Sequence, residues 1–356
     1  MFEKFYKIIF PILNFIPPEV AHGLAIKFFS NFKKKSDPDD SILNSNVCNL
    51  NFPNPIGIAA GFDKNAVAYQ GLIALGFGFV EIGTVTINPQ SGNKKPRVFR
   101  LAQDKAIINR LGFNNIGAEK VLENIERNDK KNSSRLVGVN LGKNLDSKKP
   151  INDYVELLKI FNKKANYLTL NISSPNTPGL RDLEKKDNLE ILVKKVSSYR
   201  RKNSIKTPVF LKIDPDLSKK ELGDVADIIL SSTIDGVIIS NTSVKRSNDL
   251  INKNSNEKGG LSGLPIKEKS NILLKNFYIL TNGKIPLIGV GGISNGKDVY
   301  ERILNGASLV QLYTSLIYQG PTVINRIKQE LIYFLKKDNY KNVNQAIGKS
   351  HKWKIL

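Results

Sequence analysis

Eight short apolar runs, rich in β-branched residues, recur from about residue 54 onward and constrain the fold more than any other feature. They are Pro55–Ala60, Phe79–Gly83, Leu136–Leu141, Tyr167–Ile172, Pro208–Ile213, Gly236–Ser240, Ile285–Val290 and Ser308–Leu312. Continuous rather than alternating apolar character marks strands buried on both faces, as in parallel sheets. Helical patterns separate most of the runs, for example Tyr154–Lys164 and Leu189–Arg201. Eight such units predict an α/β fold, a (β/α)8 barrel. The alternative is a doubly wound open sheet. Its usual Gly-x-Gly-x-x-Gly turn after the first strand is missing.

The chain has 356 residues, more than the ~250 typical of one barrel but within its range. The surplus lies mainly at the N-terminus. Residues 1–36 hold seven of the 17 Phe and carry six Lys against two Glu. Met1–Phe15 reads as one short helix, stopped by Pro17-Pro18. Glu19–Phe32 reads as a second, with Val20, Leu24, Phe28 and Phe32 at every fourth residue. Helices this small must cover their apolar faces, either on the main domain or at a membrane surface. Residues 37–53 read as a polar connector, 54–340 as the barrel and 341–356 as a C-terminal tail. No secretory signal and no apolar run of ~20 residues is expected from the pattern.

The net charge of +22 favours anionic partners, whether small substrates, lipid or nucleic acid. Lys, Asn and Ile are abundant throughout, so the charge alone does not argue for nucleic acid, and no nucleic-acid partner is expected. Cys48 is the one cysteine, and the two histidines are His22 and His351. That inventory points to no disulfide and no metal site.

Polar residues cluster where the apolar runs end. Asp63-Lys64-Asn65 follows the first run and Thr84 the second. Asn140 and Lys143-Asn144 mark the third, and Asn171, Ser173, Ser174 and Asn176 the fourth. Lys212 lies in the fifth run, Ser240-Asn241-Thr242 ends the sixth, Gly291-Gly292 the seventh and Tyr313-Thr314 the eighth. Single Asn, Ser and Gly residues are ordinary turn formers. In a barrel, however, all eight ends converge on one mouth, where active sites form. Glycines after the seventh strand, with Tyr313-Thr314 after the eighth, fit a phosphate site. The segment N171-I-S-S-P-N-T-P-G179 is the strongest single signal. Its prolines stiffen the loop, and its amides offer both donors and acceptors to an imide-bearing ring. N109-R-L-G-F-N-N115 adds further amides. With no histidine near, a Ser-His-Asp hydrolase is disfavoured.

These motifs resemble those of the class 2, quinone-linked, membrane-associated dihydroorotate dehydrogenases. Besides the segments above they include A59-A-G-F-D-K-N65, E81-I-G-T-V-T86, G92-N-K-K-P-R-V-F-R-L101, G259-G-L-S-G263, I288-G-V-G-G-I293 and Q311-L-Y-T314. The resemblance implies oxidation of dihydroorotate to orotate through FMN, with a membrane quinone as acceptor, in pyrimidine synthesis. The implied FMN contacts are Ala60, Gly61, Phe62, Asp63, Lys64, Thr84, Asn140, Asn171, Lys212, Ser240, Gly263, Gly292, Tyr313 and Thr314. Ser240 stands where relatives commonly carry threonine and keeps the hydroxyl. The implied orotate contacts are Lys64, Asn109, Arg110, Leu111, Gly112, Phe113, Asn171, Asn176, Asn241 and Thr242.

The family's catalytic base falls on Ser174, which takes the C5 proton while C6 gives up hydride. Serine is a poor base at neutral pH, so it needs a relay such as Thr86 or water, or a positive environment. Class 1 relatives carry cysteine at that position. The N-terminal helices would form the quinone tunnel, with His22, Arg100 and Tyr313 on the quinone side. The implied location is peripheral, on the cytoplasmic face of the cell membrane. The rival readings are a soluble class 1 enzyme, another FMN barrel such as a tRNA dihydrouridine synthase, and a non-catalytic binding barrel. The synthases use a catalytic cysteine, and Cys48 precedes the barrel. The expected outcome for the purified protein is an oxidised-flavin absorption spectrum that bleaches when dihydroorotate is added without oxygen. An absent flavin band, or one that dihydroorotate leaves unchanged, refutes this reading.

Overall fold

The computed structural model describes residues 6, 10, 15–33, 37–129 and 136–351. All eight apolar runs form strands of one closed parallel barrel. In chain order these are β3 (Ile56–Ile58), β4 (Phe79–Val85), β7 (Val137–Leu141), β8 (Tyr167–Asn171), β9 (Val209–Ile213), β10 (Gly236–Ile239), β12 (Leu287–Val290) and β13 (Ala307–Leu312). The ring closes where β13 pairs with β3, Val310 opposite Ile56 and Leu312 opposite Ile58. Helices fill the gaps between strands. Lys219–Leu230, for example, starts at a capping box in which Ser218 and Glu221 satisfy each other's backbone N–H groups.

The stretch read as a polar connector carries a small hairpin, β1 (Ser45–Val47) and β2 (Leu50–Phe52). Its buried apolar residues, Val47 and Phe52, plug the barrel floor against Phe79, Tyr167, Phe210, Ile238, Ile288 and Leu309. The aromatic rings run in sequence around this floor. Phe52 meets Phe79 at 5.2 Å between centroids, Phe79 meets Tyr167 at 6.2 Å, and Tyr167 meets Phe210 at 5.4 Å, all edge to face. A glycine opposite each strand-borne ring makes the room. A Cβ on Gly57 would fall 2.5 Å from the Phe79 ring, on Gly138 2.1 Å from Tyr167, and on Gly236 2.3 Å from Phe210. The segment 341–351 also packs at this end. Val343 and Ala346 are buried, and Ser45 Oγ hydrogen-bonds to Asn344 Oδ1 at 3.0 Å.

At the other end, the long connections carry a three-stranded antiparallel sheet, β5 (Val98–Leu101), β6 (Ala106–Asn109) and β11 (Gly260–Gly263). Helix α1 (Pro18–Asn31) lies beside it. Phe29 is buried, and its carbonyl sits 1.9 Å from where a Cβ on Gly71 would be. The ion pair of Glu19 with Arg97, at 2.9 Å, fastens α1 to the β5 side of the mouth. The first expected helix, Met1–Phe15, lies largely outside the described residues.

Because the Gly138 site is filled by the Tyr167 ring, Gly138→Ala forces that ring to move. We expect a loss of about 1–3 kcal/mol in unfolding free energy, as overpacked cores show. A lower denaturation midpoint at unchanged m-value would report it.

Candidate active site

Inward-facing residues alternate along each strand, so a second layer stands directly above the aromatic floor. It is polar. Glu81 is fully buried, and its carboxylate accepts hydrogen bonds from Asn140 Nδ2 (2.7 Å), Gln311 Nε2 (2.8 Å), Tyr167 OH (3.1 Å) and Thr169 Oγ1 (3.3 Å). The network climbs from there. Thr84 donates to Asn140 Oδ1 at 2.6 Å, and Asn171 Nδ2 donates to Thr84 Oγ1 and Asn140 Oδ1, each at 3.0 Å. Asn241 Nδ2 donates to Asn171 Oδ1 at 3.2 Å and to Ser173 Oγ at 3.0 Å. Lys212 is buried beside this layer. Burial lowers its pKa, and the Glu81 charge works against that shift. Neither Glu81 nor Gln311 was expected as a site residue. The available signal was a charged or amide side chain inside an otherwise apolar strand.

Above this network lies a cavity of about 1230 Å³ that reaches from the barrel mouth to the N-terminal helix. Its wall contains Ser174 and most of the expected contacts. Ala60, Gly61, Phe62, Lys64, Thr84, Asn171, Lys212, Ser240, Gly263, Gly292, Tyr313 and Thr314 all line it. So do Asn109, Leu111, Gly112, Phe113, Asn176, Asn241 and Thr242. Ser174 Oγ accepts from the Asn176 backbone N–H at 3.3 Å, a short-range turn that fixes the hydroxyl. Asn176 Nδ2 reaches Asn109 Oδ1 at 3.3 Å, which joins the two amide motifs across the mouth.

Three expected contacts stand elsewhere. Asp63 is fully buried behind the wall, where its carboxylate accepts the backbone N–H groups of Asn65, Val67, Ala68 and Tyr69. It anchors the start of the helix Tyr69–Leu75 and offers no side chain to a ligand. Asn140 sits under the wall in the Glu81 layer. Arg110 points outward, pairing with Glu257 at 2.7 Å and lying over the Phe99 ring at 4.5 Å. Thr86, considered as a relay, is fully buried and donates its hydroxyl to the Asn88 carbonyl at 2.7 Å.

Cations outnumber carboxylates along the cavity wall. Lys64, Arg100, Lys105, Lys212 and Arg326 line it against Glu19 and Glu330, a balance that attracts anions. Burial lowers the Lys64 ammonium to about 8, with Glu19 and Asp63 opposing the shift. Just after β13, Ser315 Oγ is buried with no hydrogen-bond partner among the described residues. It adjoins Thr314 and shares the cavity wall with the Gly291-Gly292 turn, whose φ values of 117° and 71° suit glycine. An orphan hydroxyl beside such a turn fits a phosphate.

Toward the helix the wall turns aromatic. His22 meets Phe62 at 5.2 Å, and Phe62 meets Tyr313 at 5.6 Å. Burial, with the nearby Lys64 charge, lowers His22 to about 3, so its imidazole is neutral. Arg100 donates to the Ile16 carbonyl at 2.7 Å. No helix among the described residues is long and apolar enough to cross a membrane.

A closed parallel barrel whose cationic, amide-rich mouth shares one cavity with an aromatic wall beside the N-terminal helix has the architecture of a (β/α)8-barrel enzyme acting on an anionic ligand. The chain belongs to the dihydroorotate dehydrogenase family, whose model matches residues 42–335. It is 45% identical over 340 residues to the dihydroorotate dehydrogenase (quinone) of Parvibaculum lavamentivorans, covering 95% of this chain and 96% of that protein. It is 44% identical to the mitochondrial dihydroorotate dehydrogenase (quinone) of Arabidopsis thaliana, covering 97% and 82% respectively. The structure of the Eimeria tenella enzyme in complex with ferulenol superposes with a TM-score of 0.91 at 40% identity, covering 95% of this chain and 97% of that one.

Lys64 is charged below its pKa of about 8 and neutral above it, so its attraction for a carboxylate is present at lower pH and lost as pH rises through that value. We expect orotate affinity to fall between about pH 7 and about pH 9, and Lys64→Met to flatten the profile. Calorimetric titration at several pH values measures this.

Proposed function

We propose that this chain oxidises dihydroorotate to orotate and delivers the electrons to a quinone, in pyrimidine synthesis. One observation carries this reading. A single cavity joins a cationic, amide-lined barrel mouth to an aromatic passage beside the N-terminal helix. A polar, anionic substrate and an apolar acceptor can therefore reach opposite ends of one space.

The residues present suit FMN as the resident cofactor. Thr84, Asn171, Lys212 and Ser240 would hold the ring, and Gly263, Gly292, Tyr313 and Thr314 the phosphate end. Bound there, FMN supplies the hydride acceptor and the link to the quinone. The chain's own residues do the rest. Lys212 sets a cation against the negative charge that ring reduction develops. Lys64 offers its ammonium to the substrate carboxylate, while Asn109, Asn171, Asn176 and Asn241 bracket the ureide with donors and acceptors. Leu111, Gly112, Phe113 and Thr242 close the sides.

Ser174 Oγ takes the C5 proton of dihydroorotate. Lys64 and Lys212 line the same cavity and favour negative charge on that oxygen, which answers the weak basicity of serine. Because the Thr86 hydroxyl is already committed to Asn88, water is the better relay to carry the proton onward.

Residues 1–36 act as the quinone module. His22 is a neutral imidazole on the passage wall, which Arg100 and Tyr313 also line. Val20, Leu24 and Phe28 are each about half exposed on one face of α1, and Phe15 is 92% exposed. With Lys27 and Lys33 nearby, this face suits peripheral contact with anionic lipid on the cytoplasmic side of the cell membrane.

Ser174→Ala tests the chemistry. The expected outcome is flavin reduction slowed by about 10²–10⁴-fold, the usual contribution of a general base, with the flavin still bound. Rapid mixing with dihydroorotate reads both, and a wild-type rate removes Ser174 from the role.

A further inference from the structure

Arg181 lies just beyond the Asn171–Leu180 motif and is absent from the cavity wall. Its guanidinium nevertheless reaches both loops that flank the substrate end. Nε donates to the Ser173 carbonyl and Nη2 to the Thr242 carbonyl, each at 3.3 Å. Nη1 pairs with Asp214 at 2.7 Å and stands 3.8 Å from Asp216. One planar cation thus ties together the ends of β8, β9 and β10.

The brace beneath it is rigid. The Asp214 side chain is only 5% exposed, and its backbone N–H donates to Glu184 at 2.8 Å. Asp216 accepts from Ser243 Oγ at 2.6 Å and from the Val244 N–H at 2.8 Å, and it also pairs with Lys269. Ser173 is pinned from its other side, since its hydroxyl donates to the Lys212 carbonyl at 2.8 Å and accepts from Asn241 at 3.0 Å. The carbonyl that Arg181 grips belongs to the peptide bond leading directly into Ser174. Pro175 restricts the chain on the following side. Ser174, whose hydroxyl is held by the Asn176 N–H, is therefore placed by a peptide plane that Arg181 grips.

We propose that Arg181 is a positioning residue for the dihydroorotate half-reaction. It orients the Ser174 loop and the Thr242 shoulder without touching the substrate. This inference rests on Ser174 being the base. A guanidinium is suited to the task because its fixed fork serves two carbonyls and a carboxylate at once, which a lysine ammonium on a flexible stem does not reproduce.

The two half-reactions separate this role from plain structural support. In FMN-loaded Arg181→Ala and Arg181→Lys, flavin reduction by dihydroorotate should slow by roughly 10²-fold, the scale of a small misplacement at the reacting atoms. Reoxidation of the reduced enzyme by quinone should stay within about twofold of wild type. If Arg181→Ala does not fold, Arg181→Lys carries the test. Equal slowing of both half-reactions, or wild-type flavin reduction, overturns the proposal. Ser174→Ala measured alongside tells the two readings apart. Slow reduction there with wild-type rates in the Arg181 variants sinks the positioning role alone. A wild-type rate in Ser174→Ala sinks the base assignment on which it rests.

Discussion

Closure of the barrel, β13 against β3, is the constraint from which the rest follows. Once the ring is shut, inward positions two residues apart fall into stacked layers. Phe79, Tyr167 and Phe210 fill the floor, and two residues later the same strands present Glu81, Thr169 and Lys212. Apolar packing thus ends one layer below the chemistry. The floor needs its glycines because a large ring and a side chain cannot share one level of a narrow barrel.

The Glu81 layer turns this geometry into a functional surface. Four donors from three strands converge on one buried carboxylate. The bonds to Glu81 set the directions of Asn140 Nδ2 and Gln311 Nε2, while Gln311 Oε1 stays without a partner among the described residues. Asn140 in turn holds Thr84 and Asn171, and Asn171 holds Asn241. The amides at the mouth are therefore aimed before any ligand arrives, which is the condition for catalysis by positioning.

The N-terminal helix is joined to the same system through partly buried polar contacts. Arg97 is the link: its Nε and Nη2 meet Glu19, while its Nη1 donates to the carbonyls of Ser91 and Asn93. Asn93 then donates to the Arg110 and Asn176 carbonyls. The passage wall and the substrate loops are thus parts of one hydrogen-bonded frame, even though their chemistry differs completely.

The sequence by itself determined the eight strands, because a continuous apolar run has few other places to go in an α/β chain. It also determined that polar residues gather at the strand ends, and its motifs carried the family. It left side-chain direction undecided. Asp63, Asn140 and Arg110 sit in the right motifs, yet one caps a helix, one supports the layer below and one faces outward. The hairpin Ser45–Phe52 read as connector because its strands are three residues long, too short for an alternating pattern to register. Arg181 gave no signal, since its partners lie far along the chain at Asp214 and Thr242. Local pattern records what each segment must bury. Only the closed barrel decides which distant groups come within hydrogen-bonding distance, because that depends on strand register and not on neighbours in sequence.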